Sequence, residues 1–129
     1  MGAERRIAKV LIVDDDENVR DVLRRMLTKK KFAVEEAENG RIALEKVSQD
    51  KPDIIILDVT MPEMDGIETC RRLKENPGTK TLPVIFFSST LPREEVIQRT
   101  KGEADEYIEK PGDLKELCEK INKILKISP

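Results

Sequence analysis

Five short apolar blocks alternate along the chain with five stretches in which apolar residues recur at helical spacing. Lys9–Val13 is the first block, and Val19, Val22, Leu23, Met26 and Leu27 after it fall on one side of a helix. Residues 32–37 read as a second strand, and Asn39 and Gly40 form a turn into a helix carrying Ala43, Leu44 and Val47. Ile54–Leu57 is the third block. A helix opening near Asp65 and Gly66 turns Ile67, Cys70 and Leu73 inward and stops before Asn76-Pro77-Gly78. Residues 83–87 form the fourth strand, and Thr90 and Pro92 mark the next helix start. Residues 106–108 give a short fifth strand. Asp113 then caps the last helix, with Glu116 at capping-box spacing and Leu114, Leu117, Cys118, Ile121 and Leu125 as its apolar face.

Strictly alternating strands and helices predict a parallel sheet with right-handed crossovers and helices on both faces. VLIV, IIIL and VIFF are apolar without interruption, as strands covered on both sides must be. FAVEEA and EYIE mix in polar residues, which suits the two sheet edges. The predicted fold is therefore a flavodoxin-like, doubly wound (βα)5 domain with strand order 2-1-3-4-5.

A length of 129 residues fits a single domain spanning the chain. Charged residues reach 39%, but the apolar 38% is gathered in compact blocks, which argues against disorder. A net charge of −2 with interspersed signs gives no attraction to nucleic acid or to an anionic membrane. The basic clusters at Arg5 and Arg6 and at Lys29 to Lys31 read as solvated charge. Cys70 and Cys118 lie in apolar helical patterns without metal-ligand spacing and read as buried thiols. No secretory signal or membrane-length apolar run is present, so a soluble, cytoplasmic protein is expected. The chain has no histidine, which removes Ser-His and Cys-His nucleophiles and histidine-ligated zinc.

The distinctive polar residues follow strand ends: Asp14, Asp15 and Asp16 the first, Asp58 the third, Ser88 and Ser89 the fourth, and Lys110 the fifth. In an open parallel sheet these ends share one edge, at the point where the strand order reverses. Crowded carboxylates repel, so some protonate or a cation joins them; hard oxygen ligands alone suit Mg²⁺. A central carboxylate can act as a nucleophile and form an aspartyl phosphate, with a lysine and a hydroxyl holding the new phosphoryl oxygens. Taken singly, each residue has an ordinary role. Asp14 to Asp16 suit a helix cap as well as a metal, Asp58 a turn, Ser88 and Ser89 a loop, and Tyr107 a half-buried edge. Convergence of compatible groups from separate strand ends favours the chemical reading. Competing motifs fail. Asp14-x-Asp16-x-Asn18 opens like a calcium loop but has Val19 and Arg25 where glycine and glutamate are required.

The segments KVLIVDDDENVR, PDIIILDVTMPEMDGIE, LPVIFFSS and ADEYIEKP resemble the receiver domains of bacterial two-component response regulators, along nearly the whole chain. The resemblance implies that Asp58 is the phosphoacceptor. It makes Asp15 the principal Mg²⁺ ligand with Asp14 as its acidic partner, and gives the metal a backbone carbonyl from Thr60. Ser88 matches the switch hydroxyl, Lys110 the lysine that pairs with the acceptor, and Tyr107 the aromatic switch position; the Lys110–Pro111 bond is typically cis in that family. Three positions depart from the pattern. Glu103 follows an early Gly102, Gly112 replaces a frequent phenylalanine and is expected to loosen the start of the last helix, and Ser88 replaces threonine.

These implications describe a phosphorylation-dependent switch that catalyses only its own phosphorylation and dephosphorylation. The phosphodonor is a histidine kinase or histidine phosphotransfer protein. The output is a downstream protein partner or a fused domain, with no nucleic-acid-binding segment in the chain itself, read as a stand-alone regulator or a module of a longer protein. The expected output face joins the fourth helix, fifth strand and last helix, with Arg93, Glu94, Glu109 and Lys115 as contacts. Movement of Ser88 is expected to vacate space for the Tyr107 ring. A pseudo-receiver acting without phosphate is the alternative. A haloacid-dehalogenase-type phosphatase would need a second aspartate where Thr60 stands.

Overall fold

A computed structural model of the chain describes residues 7–110 and 112–127. The expected cis bond to Pro111 and the Arg5 and Arg6 cluster lie outside those residues. In chain order the elements are β1 (Lys9–Val13), α1 (Glu17–Lys29), β2 (Ala33–Ala37), α2 (Gly40–Gln49), β3 (Ile54–Leu57), α3 (Gly66–Glu75), β4 (Val84–Ser88), α4 (Arg93–Arg99), β5 (Glu106–Glu109) and α5 (Leu114–Leu125). All strand pairs are parallel, and the sheet order is β2-β1-β3-β4-β5. The edge positions fall to the two strands with mixed polarity, as expected.

Period-two alternation divides the buried strands between two cores. Leu11, Val13, Ile55, Leu57, Val84 and Phe86 face one way and pack with Ala43, Val47, Cys70, Leu73 and Val96 from α2, α3 and α4. Val10, Ile12, Ile54, Ile56, Ile85 and Phe87 face the other way, onto Leu23, Leu27, Leu117 and Ile121 of α1 and α5. Each fully buried Leu or Ile contributes about 1.5–3 kcal/mol, so the central strands hold the sheet rigid beneath its edges. Both cysteines are buried free thiols, and burial pushes that of Cys70 up to about 11. No helix among the described residues is long and apolar enough to cross a membrane.

Several local expectations are corrected. Val22 is 50% exposed. The buried stripe of α1 centres on Leu23 and Leu27, and a helical step of 100° per residue carries Val22 beyond it. Phe32 precedes β2 rather than opening it; its N–H closes α1 on the Leu27 carbonyl at 3.0 Å while its ring enters the core. β4 begins after Pro83, which has no N–H to give, and runs on through Ser88; β5 extends to Glu109 opposite it. Asp113 caps α5 through the N–H of Lys115 at 2.9 Å, not through that of Glu116 as a capping box requires. Gly112 leaves no void: it adopts φ +56°, and a Cβ there would lie 2.9 Å from the Phe87 ring, which already fills the space.

Candidate functional site

The sheet register fixes which residues meet. Asp58 donates its N–H to the Val13 carbonyl at 2.9 Å, so it emerges beside Asp14. Leu57 pairs with Phe86, which sets Ser88 just past the level of Asp58. Ser88 pairs with Glu109, and the Lys110 N–H closes on the Ser88 carbonyl at 2.9 Å. Gly66 opens α3 directly against the end of β3: its N–H meets the Val59 carbonyl at 2.7 Å, and a Cβ would stand 2.0 Å from the Asp58 carbonyl. Only glycine permits that approach.

The run of three aspartates divides by role. Asp16 is the N-cap of α1, its carboxylate accepting the Asn18 N–H at 2.9 Å. Asp14 and Asp15 turn the other way, and carboxylate oxygens of Asp14, Asp15 and Asp58 lie within 4.8 Å of one another. Asp14 and Asp58 are buried, while Asp15 is open to solvent. Lys110 reaches across from β5 with its ammonium 2.6 Å from Asp14 Oδ2 and 3.4 Å from Asp58 Oδ2. Asp58 Oδ1 accepts the Val59 N–H at 2.8 Å.

Burial pushes the Asp14 carboxyl above the usual range, and the hydrogen bond from Lys110 offsets this only in part. For Lys110, burial pulls the ammonium down, but the hydrogen bond to Asp14 and the nearby charges of Asp14 and Asp58 outweigh it and hold it above its ordinary value. Three carboxylates facing one ammonium leave an excess of negative charge walled by hard oxygen atoms. That donor set fits Mg²⁺ and lacks the nitrogen or sulfur that softer metals prefer.

On the opposite wall Ser88 is fully buried and Ser89 exposed. The Ser88 hydroxyl lies 3.1 Å from that of Thr90, which accepts a hydrogen bond from the exposed Thr60 hydroxyl at 2.8 Å. Tyr107 is buried in this structure, its hydroxyl facing the Ser88 carbonyl at 3.2 Å and also the Leu91 carbonyl. Two backbone carbonyls thus satisfy its O–H in this buried position. Burial raises its pKa, with smaller contributions from Glu109 and Asp58.

Of three supporting residues, Thr90 and Arg20 escape a reading by strand ends, while Asn39 follows the second strand. Thr90 sits in a loop. Asn39 caps α2 through Ile42 at 2.8 Å and gives its amide to Glu63 at 3.0 Å, tying the loop after Asp58 (with Glu63 at φ +68°) to α2. Arg20 donates to the Asp14 carbonyl at 2.8 Å from one turn into α1. Its position six residues after Asp14 was the available signal.

Fold and pocket together define a doubly wound α/β domain with an acidic site at its topological switch point. The chain belongs to the response regulator receiver domain family, whose pattern matches residues 10–122. It is 39% identical over 121 residues to the response regulator MprA of Mycolicibacterium vanbaalenii, covering 92% of this chain and 50% of that protein. The chain thus spans about half the length of the MprA relatives it matches. Among solved structures it is similar to the signal receiver domain of a signal transduction histidine kinase from Syntrophus aciditrophicus, with TM-score 0.84 and 35% identity over 92% of this chain and 90% of that one. The chemotaxis protein CheY4 of Vibrio cholerae matches with TM-score 0.84 and 30% identity, over 92% and 99% of the two chains.

Proposed function

We propose that the 129 residues form one cytoplasmic, phosphorylation-dependent receiver domain. Asp58 accepts a phosphoryl group from a phosphohistidine on a histidine kinase or histidine phosphotransfer protein. The change is read by a downstream protein partner or a fused output domain. The observation that carries this reading is the division of labour at Asp58. Its Oδ1 is occupied by the Val59 N–H, while Oδ2 faces Lys110 at 3.4 Å beside Asp14 and Asp15. Oδ2 is the attacking atom. As the O–P bond forms, the P–N bond breaks, and its electron pair stays on the donor imidazole, which leaves neutral when protonated at its other nitrogen.

The carboxylates of Asp14, Asp15 and Asp58 and the backbone carbonyl of Thr60 would hold Mg²⁺. The ion supplies positive charge to the phosphoryl oxygens in the transition state. Lys110 holds one of those oxygens by a charge-assisted hydrogen bond, and the Ser88 hydroxyl takes another. Movement of Ser88 is transmitted through its carbonyl to Tyr107. Arg93, Glu94, Glu109 and Lys115 are all exposed, which supports the α4, β5 and α5 face as the output surface.

Incubation with acetyl phosphate or phosphoramidate and Mg²⁺ is expected to place an acid-labile phosphoryl group on the wild type and none on Asp58→Asn, since an amide cannot form the acyl phosphate. Equal labelling of the two proteins would sink the assignment.

A further inference from the structure

Every polar atom of Asp14 is held. Its N–H donates to the Ala37 carbonyl at 3.1 Å, Oδ1 accepts from the Asp16 N–H at 2.9 Å, and Oδ2 accepts from Lys110 at 2.6 Å. The remaining atom, the backbone carbonyl, accepts from a guanidinium N–H of Arg20 at 2.8 Å. Arg20 sits in the first turns of α1, where side chains lean back toward the helix N-terminus, and this lets it reach behind the pocket. The other edge of its fork donates to Glu36 Oε1 at 3.1 Å. Glu36 stands on β2 in register with Ile12, under α1, and its second oxygen accepts from Arg24 at 3.0 Å. The Arg20 side chain is only 15% exposed, so the bridge runs beneath the surface and not across it.

We infer that Arg20, braced by Glu36, is a positioning residue for the metal pocket: it fixes the peptide that links Asp14 to Asp15 and thereby sets the affinity for a divalent cation. This rests on the reading of the acidic cluster as a Mg²⁺ site. Holding the Asp14 carbonyl fixes the plane of the peptide from which Asp15 departs. Asp15 is the exposed member of the three, with no side-chain hydrogen bond of its own among the described residues, so its direction depends on that plane. A planar fork that grips a carbonyl and a carboxylate at once does what a lysine cannot.

Charge and position act in opposite directions here, and that separates them. Removing a cation from beside three carboxylates raises the local negative potential and favours Mg²⁺. Freeing the Asp14–Asp15 peptide disfavours it. Arg24 is the control: Arg24→Met removes the same charge from the same carboxylate but touches nothing in the pocket.

The experiment titrates Mg²⁺ alone into wild type, Arg20→Met, Arg20→Lys and Arg24→Met, following heat and backbone amide shifts. Outer-shell groups that orient ligands alter metal affinity by about tenfold or more, so Arg20→Met is expected to weaken Mg²⁺ about tenfold, with Arg20→Lys intermediate. Arg24→Met is expected to remain within about twofold of wild type, as an exposed ion pair should. Unchanged or tighter binding in Arg20→Met, or an equal loss in Arg24→Met, overturns the inference while leaving the metal site intact. Where Arg20→Met does not fold, unchanged affinity in Arg20→Lys has the same force. A wild type that binds no Mg²⁺ overturns the metal reading and this inference with it.

Discussion

Ser88 is the residue at which the pocket meets the rest of the molecule. Its hydroxyl faces Thr90, and its carbonyl accepts from both Tyr107 and Lys110. A phosphoryl oxygen on Asp58 offers the hydroxyl a charged acceptor, roughly twice as strong as the neutral Thr90 partner. The exchange is worth on the order of 1 kcal/mol, enough to move a two-state population several-fold without remaking the fold. Ser88→Ala should therefore still acquire phosphate while responding less to it. With beryllofluoride and Mg²⁺ at saturation, amide shifts at Thr90 and Leu91 are expected to be smaller in the variant; full wild-type displacements there would remove Ser88 from the signal path. Legibility at this scale was uneven. Asp14, Asp15, Asp58 and Lys110 could be placed together because strand ends share an edge. The division of Asp16 from its neighbours came only from the family resemblance, because capping and metal binding select the same residue type.

Among the elements, three helices stop in the same unusual way. At the ends of α1 and α4, Lys31 and Lys101 take φ +74° and +53°, and Lys126 follows α5 at +59°. Each is accompanied by the paired N–H to carbonyl bonds of a Schellman ending, such as Lys101 to Gln98 at 3.2 Å and Gly102 to Ile97 at 2.9 Å. Glycine normally fills this left-handed position, and after α4 it arrives one residue late, at Gly102. A lysine there is strained by about 1–2 kcal/mol and regains about 0.3–1 kcal/mol from the helix dipole. Lys31→Gly and Lys101→Gly should each stabilise the domain by about 0.5 kcal/mol, additively because the sites are far apart. Urea midpoints of the two single variants and the double variant measure this; a loss in either would show that the dipole contribution dominates. Element type and order were readable from hydrophobic period alone, whereas these endings were not, since nothing in a lysine announces positive φ. The width of the buried stripe on α1 was hidden for a similar reason: Val22 fits the helical period but not the contact surface.

For the molecule as a whole, the pocket sets the dependence of stability on pH. The folded carboxyl of Asp14 titrates above its unfolded value because burial disfavours the anion. The folded state therefore holds its proton longer, and stability associated with Asp14 is fully present below the ordinary carboxylate range and lost as pH rises through the raised value. Lys110, also raised, keeps its contribution below the ordinary lysine range and loses it only as pH climbs through its own folded value. Asp14→Asn should thus gain on the wild type as pH rises from acid toward neutrality. Mg²⁺ should narrow that gap, stabilising the wild type by about 2.7 kcal/mol at a hundred times its dissociation constant. Thermal unfolding of both proteins across pH, with and without Mg²⁺, is the measurement; curves that stay parallel would show that Asp14 carries no such cost.

The separation of 96 positions between Asp14 and Lys110 also sets a timetable. A ribosome releases all three acids of the pocket long before the one ammonium that faces them, and β5 is the last strand to reach the sheet. Until it docks, β4 is an open edge and the carboxylates lack their ammonium. The final strand therefore completes the sheet and offsets part of that charge in a single event, so the pocket is whole only when the fold is nearly finished.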